Sequence, residues 1–256
     1  MAILRSEKGC PWDRVQTHQS LCQHLIEEAY EVIETIEEGR IQDLAEELGD
    51  LLLQVVFHAQ MAAEKGVFDI QTVISHINEK LIRRHPHVFG DVEINTAEEQ
   101  TIHWEQMKVK NEGKKSAIDG VPKTCPALLR AYRMQNKAAT VGFDWPDVEP
   151  VWDKISEETR ELEEAVRLND NEKVSDELGD LLFSIVNLSR FLKVNPEDAL
   201  RKTIDKFDRR FRQVEEDFRR RSVSLSDTTL AEMDRVWEQV KEMEKGESDK
   251  DKGHGA

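Results

Sequence analysis

An acid-rich pattern occurs twice along this chain, in one register and without a gap. Glu27-Glu28-Ala29-Tyr30-Glu31 is followed by Glu47-Leu48-Gly49-Asp50, and Glu157-Glu158-Thr159-Arg160-Glu161 by Glu177-Leu178-Gly179-Asp180. Every acid recurs at an offset of 130 residues. A repeat on this scale means that one supersecondary unit is used twice, so the chain is expected to divide into two similar domains. In both copies the acids flank a turn. Glu31 and Glu47 each lie eight residues from Gly39, and Glu28 and Asp50 each lie eleven from it. Asn169 centres the second copy in the same way, between Glu161 and Glu177 and between Glu158 and Asp180. At a rise of about 1.5 Å per residue, such pairs stand at equal heights in an antiparallel helical hairpin.

The apolar residues support that geometry. Leu21, Leu25, Ile26, Ala29, Val32, Ile33 and Ile36 recur at helical spacing over 19–38, and Leu44, Leu48, Leu51, Leu52, Val55, Val56 and Ala59 over 42–64. Further helices are expected at 70–84, ending before Pro86, and at about 96–110. The pattern then restarts, with helices expected at about 149–168, 172–192, 196–221 and 227–245. Gly39 suits a tight turn, and Asn169 tolerates the left-handed conformation that a turn there needs. Strand signals are weak throughout, so the expected class is all-α. The domains read as 1–110 and 127–246, joined by a polar, proline-containing linker at 111–126 and followed by a disordered tail at 247–256.

Composition narrows the function. A net charge of −16 argues against a nucleic-acid scaffold, which binds through a basic surface. No apolar run approaches the roughly 18–20 residues of a membrane span. The first residues carry no signal-peptide pattern. Cys10, Cys22 and Cys125 are odd in number and lack metal spacing, which suits free thiols in a reducing cytoplasm.

Glu28 and Glu31 share one helix face, as do Glu47 and Asp50. Four carboxylates therefore converge from two helices, and likewise Glu158, Glu161, Glu177 and Asp180. Unpaired carboxylates in one place repel unless protonated or bridged by cations. All are hard oxygen ligands, suited to Mg²⁺ or Mn²⁺. A solvated acidic helix face is the other reading of a single copy; two copies in register weigh against it.

A metal site that handles a polyphosphate also needs cations. Lys80 and Arg84 follow the first acid set, and Lys206 and Arg210 the second, each pair spaced i,i+4 as a phosphate clamp. Ordinary salt bridging is the competing reading. Trp104-Glu105-Gln106 and Trp237-Glu238-Gln239 form a third matching element, in which each Trp suits either base stacking or a core position. The copies differ beside the acids. Lys154 and Lys173 precede Glu158 and Glu177 by one turn, where the first copy has His24 and Asp43. The second copy is thus better equipped to hold a polyanion. Cys10 and His18 are potential reactive groups without a partner pattern.

These motifs, together with Gly9-Cys10-Pro11-Trp12-Asp13, Gln16-Thr17-His18 and Leu81 to Gly90 (LIRRHPHVFG), resemble the MazG family within the all-α NTP pyrophosphatases. The resemblance runs from about Leu4 to Glu244. It implies Mg²⁺-dependent hydrolysis of nucleoside triphosphates to monophosphates and pyrophosphate, with broad base tolerance, as housecleaning of the nucleotide pool. It implies homodimers in which helices of two chains complete each four-helix-type bundle. It also implies metal ligation by Glu158, Glu161, Glu177 and Asp180, and by repeat Glu28, Glu31, Glu47 and Asp50. Nucleotide contacts are implied at Lys154, Lys173, Lys206, Arg210 and Trp237. His24 and Asp43 depart from that pattern. Two other readings compete. A di-iron four-helix protein requires Glu-x-x-His pairs, and this chain has none. A non-catalytic helical interaction module with vestigial metal sites is the second.

Overall fold

The computed structural model describes residues 1–96, 99, 100, 103 and 116–252, with backbone alone from 246 onward. The described residues contain helices and no strand. They fall into two compact units, divided between Met107 and Lys108.

In the first unit, α1 (Pro11–Val15) leads into α2 (Cys22–Glu37), which packs along α3 (Leu44–Glu64). Gly39 turns the chain with a φ of 70°, a left-handed conformation that glycine reaches without steric cost. The helices α4 (Ile70–Arg84) and α5 (Pro86–Phe89) follow. Asp69 caps α4 by accepting from the Thr72 N–H at 2.9 Å. Leu21, Phe57 and Met61 form the buried cluster, with Met1 packed on it. Arg5 ties the N-terminal segment down through two bonds of 2.8 Å to Glu64 and lies over the Phe57 ring. His18 does find a partner: its Nδ1 lies 2.7 Å from that of His58, with the rings stacked. Burial, and then His18, push the His58 pKa down.

The second unit repeats the hairpin. It comprises α6 (Ala127–Ala139), α7 (Glu149–Leu168), α8 (Asn171–Phe191), α9 (Pro196–Arg220) and α10 (Leu230–Lys252). Asn169 sits at φ 54°, as its residue type allows. Asp170 then caps α8 by accepting from the Lys173 N–H at 3.2 Å. A one-residue change in this turn would rotate α8 by about 100° and carry its acids off the α7 face. The α9–α10 hairpin closes over Val214, Phe218, Val236 and Val240, with Trp237 against them.

Two expectations differ from the structure. Helix α6 lies immediately after the presumed linker and was not anticipated. Within the linker, residues 116–126 run through turns, while 111–115 fall outside the described residues, as does most of the expected 96–110 helix. Helix α10 continues through Gly246 to Lys252, where a disordered tail was expected. One interior glycine costs a helix only about 1 kcal/mol, and the Glu and Lys residues around it are good helix formers.

The duplication extends into the cores. Leu21 and Val151, 130 residues apart, are both buried, and so are Thr35 and Ala165. The Thr35 hydroxyl has no hydrogen-bond partner among the described residues. A buried unmet hydroxyl costs about 1–3 kcal/mol, and valine keeps its shape without it. Thr35→Val is therefore expected to raise stability by about 1 kcal/mol. A lower urea midpoint would show that the hydroxyl is satisfied after all.

Candidate active site

In the second unit, α7 presents Glu158 and Glu161, and α8 presents Glu177. These three offer carboxylate oxygens within 4.8 Å of one another. Glu158 is 3% exposed, which places an ionisable group deep in the hairpin seam. Its compensation is Lys154, one turn earlier, whose Nζ lies 2.6 Å from Glu158 and 3.3 Å from Glu157. The hydrogen bond to Glu158 is the chief reason that the Lys154 pKa is raised. Lys173 approaches Glu177 more loosely, at 4.0 Å. Partial burial, followed by the Glu161 charge, holds the Glu177 carboxyl above its ordinary range. Asp180 stands outside the close triad. It lines, with Lys154 and Glu158, an adjoining cavity of about 520 Å³.

The first unit brings Glu28, Glu47 and Asp50 together by the same criterion. Glu31 is the member left out here, although its charge helps to raise the pKa of Glu28 and of Glu47. In both groups burial is the largest cause of the rise. The described partner of Glu28 is neutral, the Gln54 Nε2 at 3.3 Å. His24 pairs with Glu27 at 3.1 Å, and Asp43 with Arg40 at 2.9 Å. Neither residue serves the acids as Lys154 and Lys173 do in the second unit.

The residues expected to clamp phosphate lie on other helices. Lys206 and Arg210 lie on α9, and Arg210 donates to Glu244 at 2.7 Å. That bond is the first cause of the lowered Glu244 pKa. The Arg210 guanidinium lies 5.9 Å from the Trp237 ring centre, and Phe207 packs on the same ring at 5.3 Å. Arg210 and Trp237 thus form one group, but no described hydrogen bond or ion pair joins them or Lys206 to the acids. Lys80 and Arg84 lie on α4; Lys80 is exposed and Arg84 half-buried. Trp104 falls outside the described residues.

Sequence reasoning missed the cavity walls. Beyond the acids they include Met134, Gln135, Phe143, Trp145, Phe183 and Arg190. The only cue was local: two aromatic residues flank Asp144 just after Gly142 and just before a helix. A divalent cation fits the acid set. Hard oxygens converge, and the carboxyl of Glu177 is raised by burial and like charge, a penalty that a divalent ion would relieve.

A family model described as the MazG nucleotide pyrophosphohydrolase domain matches twice, at residues 16–89 and 148–215. The Thermotoga maritima protein named nucleoside triphosphate pyrophosphohydrolase/pyrophosphatase MazG is 51% identical, over 94% of this chain and 92% of its own length. The Escherichia coli K12 nucleoside triphosphate pyrophosphohydrolase is 45% identical, over 93% of this chain and 92% of its own. A Bacillus subtilis protein, YabN, is 48% identical over 94% of this chain but only 50% of its own length.

Proposed function

The chain belongs to the MazG family, with both copies of the acid hairpin inside matched segments, and from that premise we propose that it is a nucleoside triphosphate pyrophosphohydrolase. The reaction is NTP plus water to NMP and pyrophosphate. The observation that carries this reading is the second unit's arrangement, in which a carboxylate triad, Lys154 and a nucleoside-sized cavity adjoin. The names of the relatives support it.

Glu158, Glu161 and Glu177, with Asp180 at the cavity side, would hold Mg²⁺ or Mn²⁺. A bound divalent ion there supplies polarisation of a phosphoryl oxygen and a lower pKa for a water. The residues of the chain do the rest. Lys154 and Lys173, held beside Glu158 and Glu177, neutralise charge that develops on the phosphates. Lys206 and Arg210 supply further cations on α9, and Trp237 an aromatic face. A site carboxylate takes the proton of the attacking water. In the first unit, Lys80 and Arg84 are the equivalents of the clamp.

Broad base tolerance and a housecleaning role are part of the proposal, as are a homodimer and a cytoplasmic setting. Leu200, Ile204, Phe207 and Phe211 recur along one stripe of α9 and are each at least one-third exposed, which suits a second copy of the chain. No helix among the described residues is long and apolar enough to cross a membrane.

The assay is incubation with Mg²⁺ and mixed NTPs, with products separated by ion exchange. NMP and pyrophosphate are expected. NDP and orthophosphate would refute the bond assignment, and no turnover would favour a non-catalytic module.

A further inference from the structure

The cavity beside the second acid set has one wall that the acids and lysines do not use. It is the short segment between α6 and α7, Gly142-Phe143-Asp144-Trp145. Phe143 borders this half-open cavity and is 82% exposed, and Trp145 is 39% exposed. An aromatic ring left in water at a cavity rim has lost the apolar burial it would gain in a core. Asp144, between the two rings, explains why the segment nevertheless holds its place. Arg190 of α8 grips it with two parallel bonds: Nη1 donates to Oδ2 at 2.8 Å, and Nη2 donates to Oδ1. The Trp145 N–H also donates to Oδ1, at 2.9 Å. Arg190 is itself set by donating from Nε to the Asn187 Oδ1 at 3.0 Å, and its side chain is only 11% exposed. A two-pronged arginine–carboxylate pair whose arginine is largely buried fixes orientation as well as distance. In the first unit Arg14 and Gln60 occupy the corresponding positions and cannot form this pair; the two-pronged pair there, Arg5 with Glu64, ties down the N-terminal segment instead.

We propose that Phe143 and Trp145 form the wall against which the nucleoside of an NTP stacks, and that the Asp144–Arg190 pair is the positioning device that holds this wall over the cavity. The proposal rests on the NTP reading above and specifies how that site takes the nucleoside. Continuity supports this occupant: Lys154, Glu158 and Asp180 line the same cavity. A triphosphate held at those groups directs its base into the space that Phe143 borders. The volume of about 520 Å³ lies within the usual range for small-molecule sites. An aromatic face discriminates little among bases, since each base offers a π-surface. Broad base tolerance therefore follows from the wall itself.

The test is calorimetric binding, in Mg²⁺, of two ligands to the full chain. One is an NTP analogue with a non-hydrolysable α,β linkage; the other is inorganic tripolyphosphate, which has no nucleoside. Phe143→Ala is expected to weaken the NTP analogue about tenfold. Tripolyphosphate affinity should stay within about twofold, and Phe143→Tyr should retain the wild-type Kd. Arg190→Lys keeps the charge and loses the two-pronged grip, so it should weaken the analogue several-fold. Its loss should add little in a Phe143→Ala/Trp145→Ala background, because it acts through the two rings. Unchanged analogue binding by Phe143→Ala overturns the wall. Equal weakening of both ligands, or additive losses, overturns the positioning role and marks a general disturbance. Because binding is read without turnover, a wild type that binds the analogue but releases no pyrophosphate refutes the reaction while leaving the wall to be judged on its own data.

Discussion

Glu161→Gln is expected to lower pyrophosphate release from NTPs by about 100-fold or more, and Glu31→Gln to leave most of it in place. The two residues are repeat equivalents, 130 positions apart on α7 and α2. Both substitutions keep the side-chain shape and remove a potential ligand charge. The difference lies in their surroundings. Glu161 belongs to a close triad whose buried member, Glu158, has Lys154 at 2.6 Å. Glu31 stands outside its own triad, and His24 and Asp43, one turn before Glu28 and Glu47, are engaged by Glu27 and Arg40. The second unit also has the adjoining cavity. Steady-state kinetics with one NTP at several Mg²⁺ concentrations decides the matter. Equal losses would mean that both units turn over, and the reverse ranking would refute the assignment of the main site to the second unit.

The second large effect concerns stability, and its sign follows from linkage. Burial, then Glu161, raises the pKa of Glu177 above its ordinary value. A carboxyl whose folded pKa exceeds its unfolded pKa favours folding while protonated. That contribution is full below the unfolded pKa and is lost as pH rises through the folded pKa. Ionised Glu177 therefore opposes folding at neutral pH in the absence of a divalent cation. Glu177→Gln removes the charge, so the metal-free variant should melt above wild type at pH 7. The two melting temperatures should converge in acid, below the carboxylate range. Addition of Mg²⁺ should then stabilise the wild type by mass action, by about 2.7 kcal/mol at a hundredfold excess over Kd, and so raise its Tm, while raising that of the variant far less. A variant that melts below wild type at pH 7 without metal would falsify the view that the acids are held together at a cost that metal relieves.

Much of the candidate site's geometry was legible because helical geometry is local. Equal spacing from Gly39 and from Asn169 places acids at matching heights, and both residues adopt the left-handed turn that their types permit. The lysines one turn before Glu158 and Glu177 reach those residues for the same reason. Helix α6 was missed because the repeat offered no template for it. At an offset of 130, residues 1–9 correspond to 131–139 of α6, and they run through turns rather than a helix. The cavity was missed because its walls come from α6, the 142–145 segment, α7 and α8, which are not periodic with one another.

The sequence by itself thus determined the class, the duplication, the acid sets and the difference in charge between them. Each depends on contacts within a few residues along one helix or across one turn. Only the tertiary structure decided that Asp180 and Glu31 stand apart from the close triads, and that Arg190 holds Asp144 across 46 positions of chain. Side-chain approach between separate segments depends on how they pack, and no spacing along the chain encodes it.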